Sequence, residues 1–132
     1  MLSARHQDWV LLLLRVVIAA IFILHGSMKW SFWAGAPADM PASMLTIMKI
    51  LSVVEPLAGL AVLLGAFTCW AAGALAVIMV GAIFLKLAVM KVAFADPTGK
   101  MGWEFDALIL AGNLVLMTVG AGAYSLDAMR RK

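Results

Sequence analysis

The chain reads as an all-α integral membrane protein, a single domain of four transmembrane helices in an antiparallel bundle. Three observations predict this class. Of its 132 residues 65% are hydrophobic and 13% charged, with a mean hydropathy of +1.05, whereas soluble domains carry about 25% charged residues. Hydropathy divides the sequence into apolar runs of about 20 residues, the length that crosses a bilayer core of ~30 Å. All five tryptophans (Trp9, Trp30, Trp33, Trp70 and Trp103) fall at or just beyond the end of a run, where an amphipathic ring prefers the headgroup level.

The expected spans are 9–29, 44–65, 68–92 and 103–122. Ahead of the first, Arg5 and the later Ala36-Pro37-Ala38 imitate a signal peptide. The apolar stretch is too long and ends too far upstream, so the segment is expected to be retained as a span. Gly35, Pro37 and Pro41 make the stretch after Trp33 a loop. Between spans two and three, Gly65 is expected to end one helix and Thr68 to cap the next, leaving a tight hairpin. Asp96-Pro97-Thr98-Gly99 has the residue order of a type I turn. No internal repeat or low-complexity segment is present.

Four spans place both termini on one side, with Arg5, Arg130, Arg131 and Lys132 facing Lys29, Lys49, Lys91 and Lys100 on the other. The cluster at the C-terminus predicts cytoplasmic termini in an inner membrane, because Asp39 and Asp96 dilute the opposite loops. The net charge of +3 comes from basic residues scattered at helix ends. No basic surface with interleaved aromatics can be assembled from them, which excludes nucleic acid as a partner. The single cysteine, Cys69, excludes an internal disulfide or a CxxC pair and reads as a small buried hydrophobe.

Ionisable residues inside the apolar runs carry the functional signal, since a charge at bilayer depth costs roughly 2.5–3.5 kcal/mol on insertion scales. Glu55 lies about 16 Å into its helix, too short to snorkel, and needs a partner or a proton. Pro56 cannot donate its backbone nitrogen, which leaves the Ser52 carbonyl free for a side chain, a water or a ligand. On span one, a rotation of about 100° per residue puts Arg15, Phe22, His25 and Lys29 in one stripe. The plain account of that stripe has Arg15 and Lys29 snorkelling to opposite interfaces and His25 hydrogen-bonded in the core.

Span three adds Lys86, and span four adds Glu104 and Asp106 with Asn113 further in. Asp106 and Asn113 share a face, whereas Glu104 and Asp106 are about 200° apart, so at most one of the two carboxylates can face the pocket and the other is expected to cap the helix at the interface. Antiparallel threading brings His25, Lys29, Lys86, Glu104 and Asp106 to the non-cytoplasmic side above Glu55. The result is an outward-opening polar pocket, a candidate ligand site lined by these residues and Asn113. No haem is expected, because His25 has no second histidine within a span, and no iron–sulfur cluster, because cysteines are lacking. No metal site is expected either.

His25-Gly26-x-x-Lys29, Glu55 with Gly59, Gly65-x-x-Thr68, Gly102-x-Glu104, Gly120-x-Gly122 and Tyr124-Ser125-Leu126-Asp127 together resemble the DoxX family. The resemblance runs from about Arg15 to Asp127, with departures at Ala58-Gly59, where the family often has paired glycines, and at Cys69, where it has a basic residue. It implies a four-helix membrane fold and a place in membrane redox. Family members are described as quinone-linked subunits of sulfur-oxidising complexes or as membrane partners of soluble thiol and superoxide enzymes.

By that analogy the expected function is a quinone-interacting subunit of a redox complex. His25 would donate to a ring oxygen, Glu55 would exchange the accompanying proton, and Lys86 would pair with Glu104. Electrons would come from a protein partner, so oxidoreductase activity is expected only within a complex. Two other classes compete: a non-catalytic scaffold or accessory subunit whose polar groups hold helices together, and a small proton-coupled transporter using one membrane carboxylate.

Overall fold

The computed structural model describes residues 3–99 and 101–131. Lys100 and Lys132, counted in the charge comparison above, lie outside the described residues. The described chain is helical: α1 Ala4–Met28 followed by a 3-10 turn Lys29–Trp33, α2 Ala42–Leu64, α3 Thr68–Phe84 continued by a π-helical turn Leu85–Val89, α4 Glu104–Val119, and a short α5 Leu126–Arg130. Three segments are long and apolar enough to cross a membrane: Ala4–Trp33, Ala42–Leu64 and Thr68–Val89. The fourth expected span is shorter than 103–122. Its 16 residues rise about 24 Å, short of a ~30 Å core.

Differences at the boundaries have local causes. The first helix begins five residues before Trp9 because the Ser3 carbonyl accepts from His6 and Gln7 N–H. Trp9 therefore lies inside α1, with its ring 4.9 Å from that of Tyr124. Span three does not reach residue 92 as regular α-helix; it widens at Leu85 into a π turn, a distortion often found at functional sites. Gly65 ends α2 as expected, with φ 65° and ψ 41°. Gly65 N–H bonds Val62 O and Ala66 N–H bonds Ala61 O, the paired closure that favours glycine at this position. The Asp96 turn also forms, closed by Gly99 N–H to Asp96 O at 3.2 Å.

Packing is uneven. α1 lies on α2 and α3 on α4 over long contacts, whereas α2–α3 and α1–α4 touch over less of their length. A Cβ on Gly26 would overlap the Pro56 ring, and one on Gly59 would press on Phe22 and the Ala19 carbonyl, so these glycines allow α1 and α2 to approach closely. Ile18, Phe22, Val62, Leu75, Ile109 and Leu116 form the centre of the core. Outward-facing Trp70, Val77 and Leu108 are exposed, as expected of surface turned to lipid.

At the end that holds the termini, the helix pairs are joined by polar contacts. Arg15 does not snorkel; it is 1% exposed. Its guanidinium donates to Val62 O (2.9 Å), Leu63 O (2.6 Å), Ala121 O (3.0 Å) and Tyr124 O (2.7 Å). These carbonyls lie at the end of α2 and in the turn after α4, where helical donors run short; Val62 O also accepts from Gly65 N–H. Thr68 is not the cap of α3. The Asp127 carboxylate takes that role, accepting from Phe67 N–H, Thr68 N–H and Thr68 Oγ1, each at 2.8 Å. Asp8 accepts from Ala123 N–H at 2.8 Å. Cys69 is exposed rather than buried, because one residue beyond buried Thr68 the helix has turned by about 100°.

Burial opposes the charged form of Asp127, but the hydrogen bonds from Thr68 and Phe67, with the charge of Arg130, outweigh it and hold the carboxyl below its ordinary value of 3.8. A depressed folded-state pKa means that the group's stabilisation is complete above the unfolded value and is lost as pH falls through the folded one. The thermal midpoint of wild type should therefore drop on acidification below about pH 4. Asp127→Asn should start lower at neutral pH and converge on wild type in acid; parallel curves would refute the assignment.

Candidate functional site

The opposite end of the molecule, at the α1–α2 and α3–α4 loops, holds a cavity of about 550 Å³. This lies within the ~300–1,000 Å³ typical of small-ligand sites. Its walls are mostly apolar, with Phe22, Leu51, Ile78, Met79, Phe105 and Ile109 among them. Five expected residues also line it: His25, Lys29, Glu55, Lys86 and Asp106.

Each polar side chain is placed by its own helix pair. Lys29, one residue past α1, turns inward instead of snorkelling. Its Nζ lies 2.7 Å from Glu55 Oε2 and donates to the His25 carbonyl at 3.1 Å. Glu55 is 3% exposed, so Lys29 is the partner its depth demands. The 3-10 turn that delivers Lys29 is fastened to α2 by two indoles. Trp30 Nε1 donates to the Ser52 carbonyl (2.9 Å) and Trp33 Nε1 to Ser52 Oγ (3.0 Å). The carbonyl that Pro56 frees is thus taken by a side chain. The sequence marks Pro56 and Ser52, but not that the chain turns back immediately after α1 to use them.

On the other wall, Lys86 projects from the π turn to within 2.6 Å of Asp106 Oδ2 and donates to Gly102 O at 3.2 Å. Asp106 Oδ2 has no aligned hydrogen bond among the described residues, so the Lys86 contact is a Coulombic pairing. The expected Lys86–Glu104 pair is replaced by Lys86–Asp106, because Asp106 shares the buried face of Ile109, Asn113 and Leu116. Glu104 does not line the cavity. Its N–H bonds Phe94 O, and its Oε2 is buried beside Gly102 without a hydrogen-bond partner among the described residues. Asn113 lies in the core away from the cavity, donating from Nδ2 to Ile109 O at 3.0 Å while its Oδ1 has no such partner.

His25 is exposed at the cavity wall and is not a hydrogen-bonded core histidine. Lys29–Glu55 lies wholly within the α1/α2 pair and Lys86–Asp106 within α3/α4. Among the described residues no group of three or more His, Cys, Asp or Glu is placed to hold a metal. The arrangement offers an apolar slot with an ammonium–carboxylate pair on each wall and, at its edge, an imidazole with no hydrogen-bond partner among the described residues, suited to a flat, largely apolar ligand with polar oxygens.

The family model for DoxX matches residues 10–88, a stretch that covers more than half of the chain and carries His25, Lys29, Glu55 and Lys86. No curated protein matches the chain, and no solved structure matches it.

Proposed function

The chain belongs to the DoxX family, and on that premise we propose that this multi-pass membrane protein is a redox-complex subunit that binds a quinone head group in the loop-end cavity. The observation that carries the proposal is the cavity itself: apolar walls that suit a ring, with one ion pair on each side to meet ring oxygens. Glu55 holds or releases the proton that accompanies quinone reduction, and Lys29 compensates the charge this leaves. His25 donates to a ring oxygen at the rim. The electrons come from a protein partner in the complex.

In this reading α4 is the fourth span of an antiparallel bundle, with both termini on the cytoplasmic side of an inner membrane. The cavity then opens outward. The length of α4 is made up by the extended turns around Gly102 and Gly120, and the basic Arg130 and Arg131 lie at the membrane surface.

Purification in native lipid, followed by quantitation of extracted quinone, tests the proposal. Glu55→Gln keeps the shape and an oxygen for Lys29 but removes the ionisable proton, and should lower quinone occupancy at least tenfold in a folded bundle. The confinement of each ion pair to one helix pair also suits a scaffold, in which such groups only bind helices together. Unchanged occupancy in Glu55→Gln with loss of co-purifying subunits would favour that second reading.

A further inference from the structure

The cavity does not open only toward the loops. Along α3 its lining passes from buried Met79 through partly buried Ile78 and Ala82 to exposed Gly81 and Phe84. On α2 it passes from buried Glu55 to Ile47, which is 48% exposed. Ile47 is nine residues from Pro56, about 180° round the helix, and so lies on the flank turned away from α1. Ile47, Gly81 and Phe84 therefore frame an opening between α2 and α3, the neighbouring helices that pack over less of their length.

The depth of this opening matters. Gly81 is eight residues inside the end of the apolar segment Thr68–Val89, about 12 Å at the α-helical rise. The gap consequently faces hydrocarbon rather than water. A Cβ built on Gly81 meets nothing within 4 Å, so this glycine is not required by packing within the chain, and the absence of a side chain leaves the gap open.

We propose that the α2–α3 gap at Gly81 is a lateral portal through which the hydrocarbon tail of a membrane-dissolved ligand leaves the cavity for the bilayer. Resting on the quinone reading, the inference specifies the substrate class as long-tailed quinones drawn from the lipid phase. The polar head lies between Lys29–Glu55 and Lys86–Asp106, while the tail passes Ile47 and Phe84.

Equilibrium binding in lipid nanodiscs tests it, using a tail-less dimethoxy-methyl-benzoquinone and its decyl-chain counterpart, with affinities referred to lipid-phase concentration. Gly81→Trp should weaken the decyl compound at least tenfold and leave the tail-less one within twofold. Gly81→Leu should give a smaller effect in the same direction and serves if the bulkier variant does not fold. Val77→Trp, one turn away on the exposed face and outside the cavity lining, should change neither.

Equal loss of both probes, or no loss of either, would overturn the portal. So would a change in oligomeric mass without chain-length dependence, which would assign the gap to a second copy of the chain. Failure of the tail-less probe to bind wild type would instead remove the quinone reading, and the portal with it.

Discussion

Replacing Arg15 with Met should prevent the protein from accumulating as a folded bundle. Four carbonyls (Val62, Leu63, Ala121 and Tyr124) accept from this one buried guanidinium, and Val62 O would keep the Gly65 N–H when it is removed. Leaving the other three acceptors unpaired costs about 1–3 kcal/mol each, so the expected loss is roughly 3–9 kcal/mol. That is comparable with the whole net stability of a typical domain, about 5–15 kcal/mol. Arg15→Lys retains the charge but not the planar five-donor fork, and should fall between wild type and Arg15→Met. Thermal unfolding in detergent, read beside expression level, checks the order; a midpoint for Arg15→Met within a few degrees of wild type would rule out the role.

Gly65→Val should be nearly as damaging. The residue has φ 65°, a region where a Cβ costs about 1–2 kcal/mol and a branched side chain more. A Cβ there would also overlap Ser125 and lie 2.8 Å from Arg15 Nη2. A loss of at least about 3 kcal/mol is expected, beyond the strain alone. Since Gly65 and Arg15 share one packed site, Gly65→Val combined with Arg15→Met should cost clearly less than the two single changes added together. Strict additivity in the same unfolding assay would show that the two positions act separately.

Helix order, the hairpin at Gly65, the Asp96 turn and the depth of Glu55 were legible in the sequence because each rests on local signals: hydropathy, a glycine C-cap, turn residues and helical rise. The gathering of His25, Lys29, Glu55, Lys86 and Asp106 followed from the same signals, since helix ends place residues in depth. What failed was contact between helices at atomic detail. Arg15 near a helix start satisfies the rule for snorkelling, and nothing local reveals that α2 ends beside it with carbonyls able to accept from its guanidinium. Thr68 has the chemistry of a cap, yet Asp127, 59 residues away, fills that position. The choice between Glu104 and Asp106 needed the actual orientation of α4, and the short extent of α4 was concealed by apolar residues that continue into the turn after Val119.

The two ion pairs have one more consequence. At the cavity end, among the described residues, no ion pair or hydrogen bond runs from the α1/α2 pair to the α3/α4 pair, while the opposite end is tied by Arg15 and Asp127. Each wall thus keeps its compensated charges as a unit. The width of the slot is set by apolar surface alone and can vary without separating a single charge, so the site's dimensions and its charge pairing are mechanically independent.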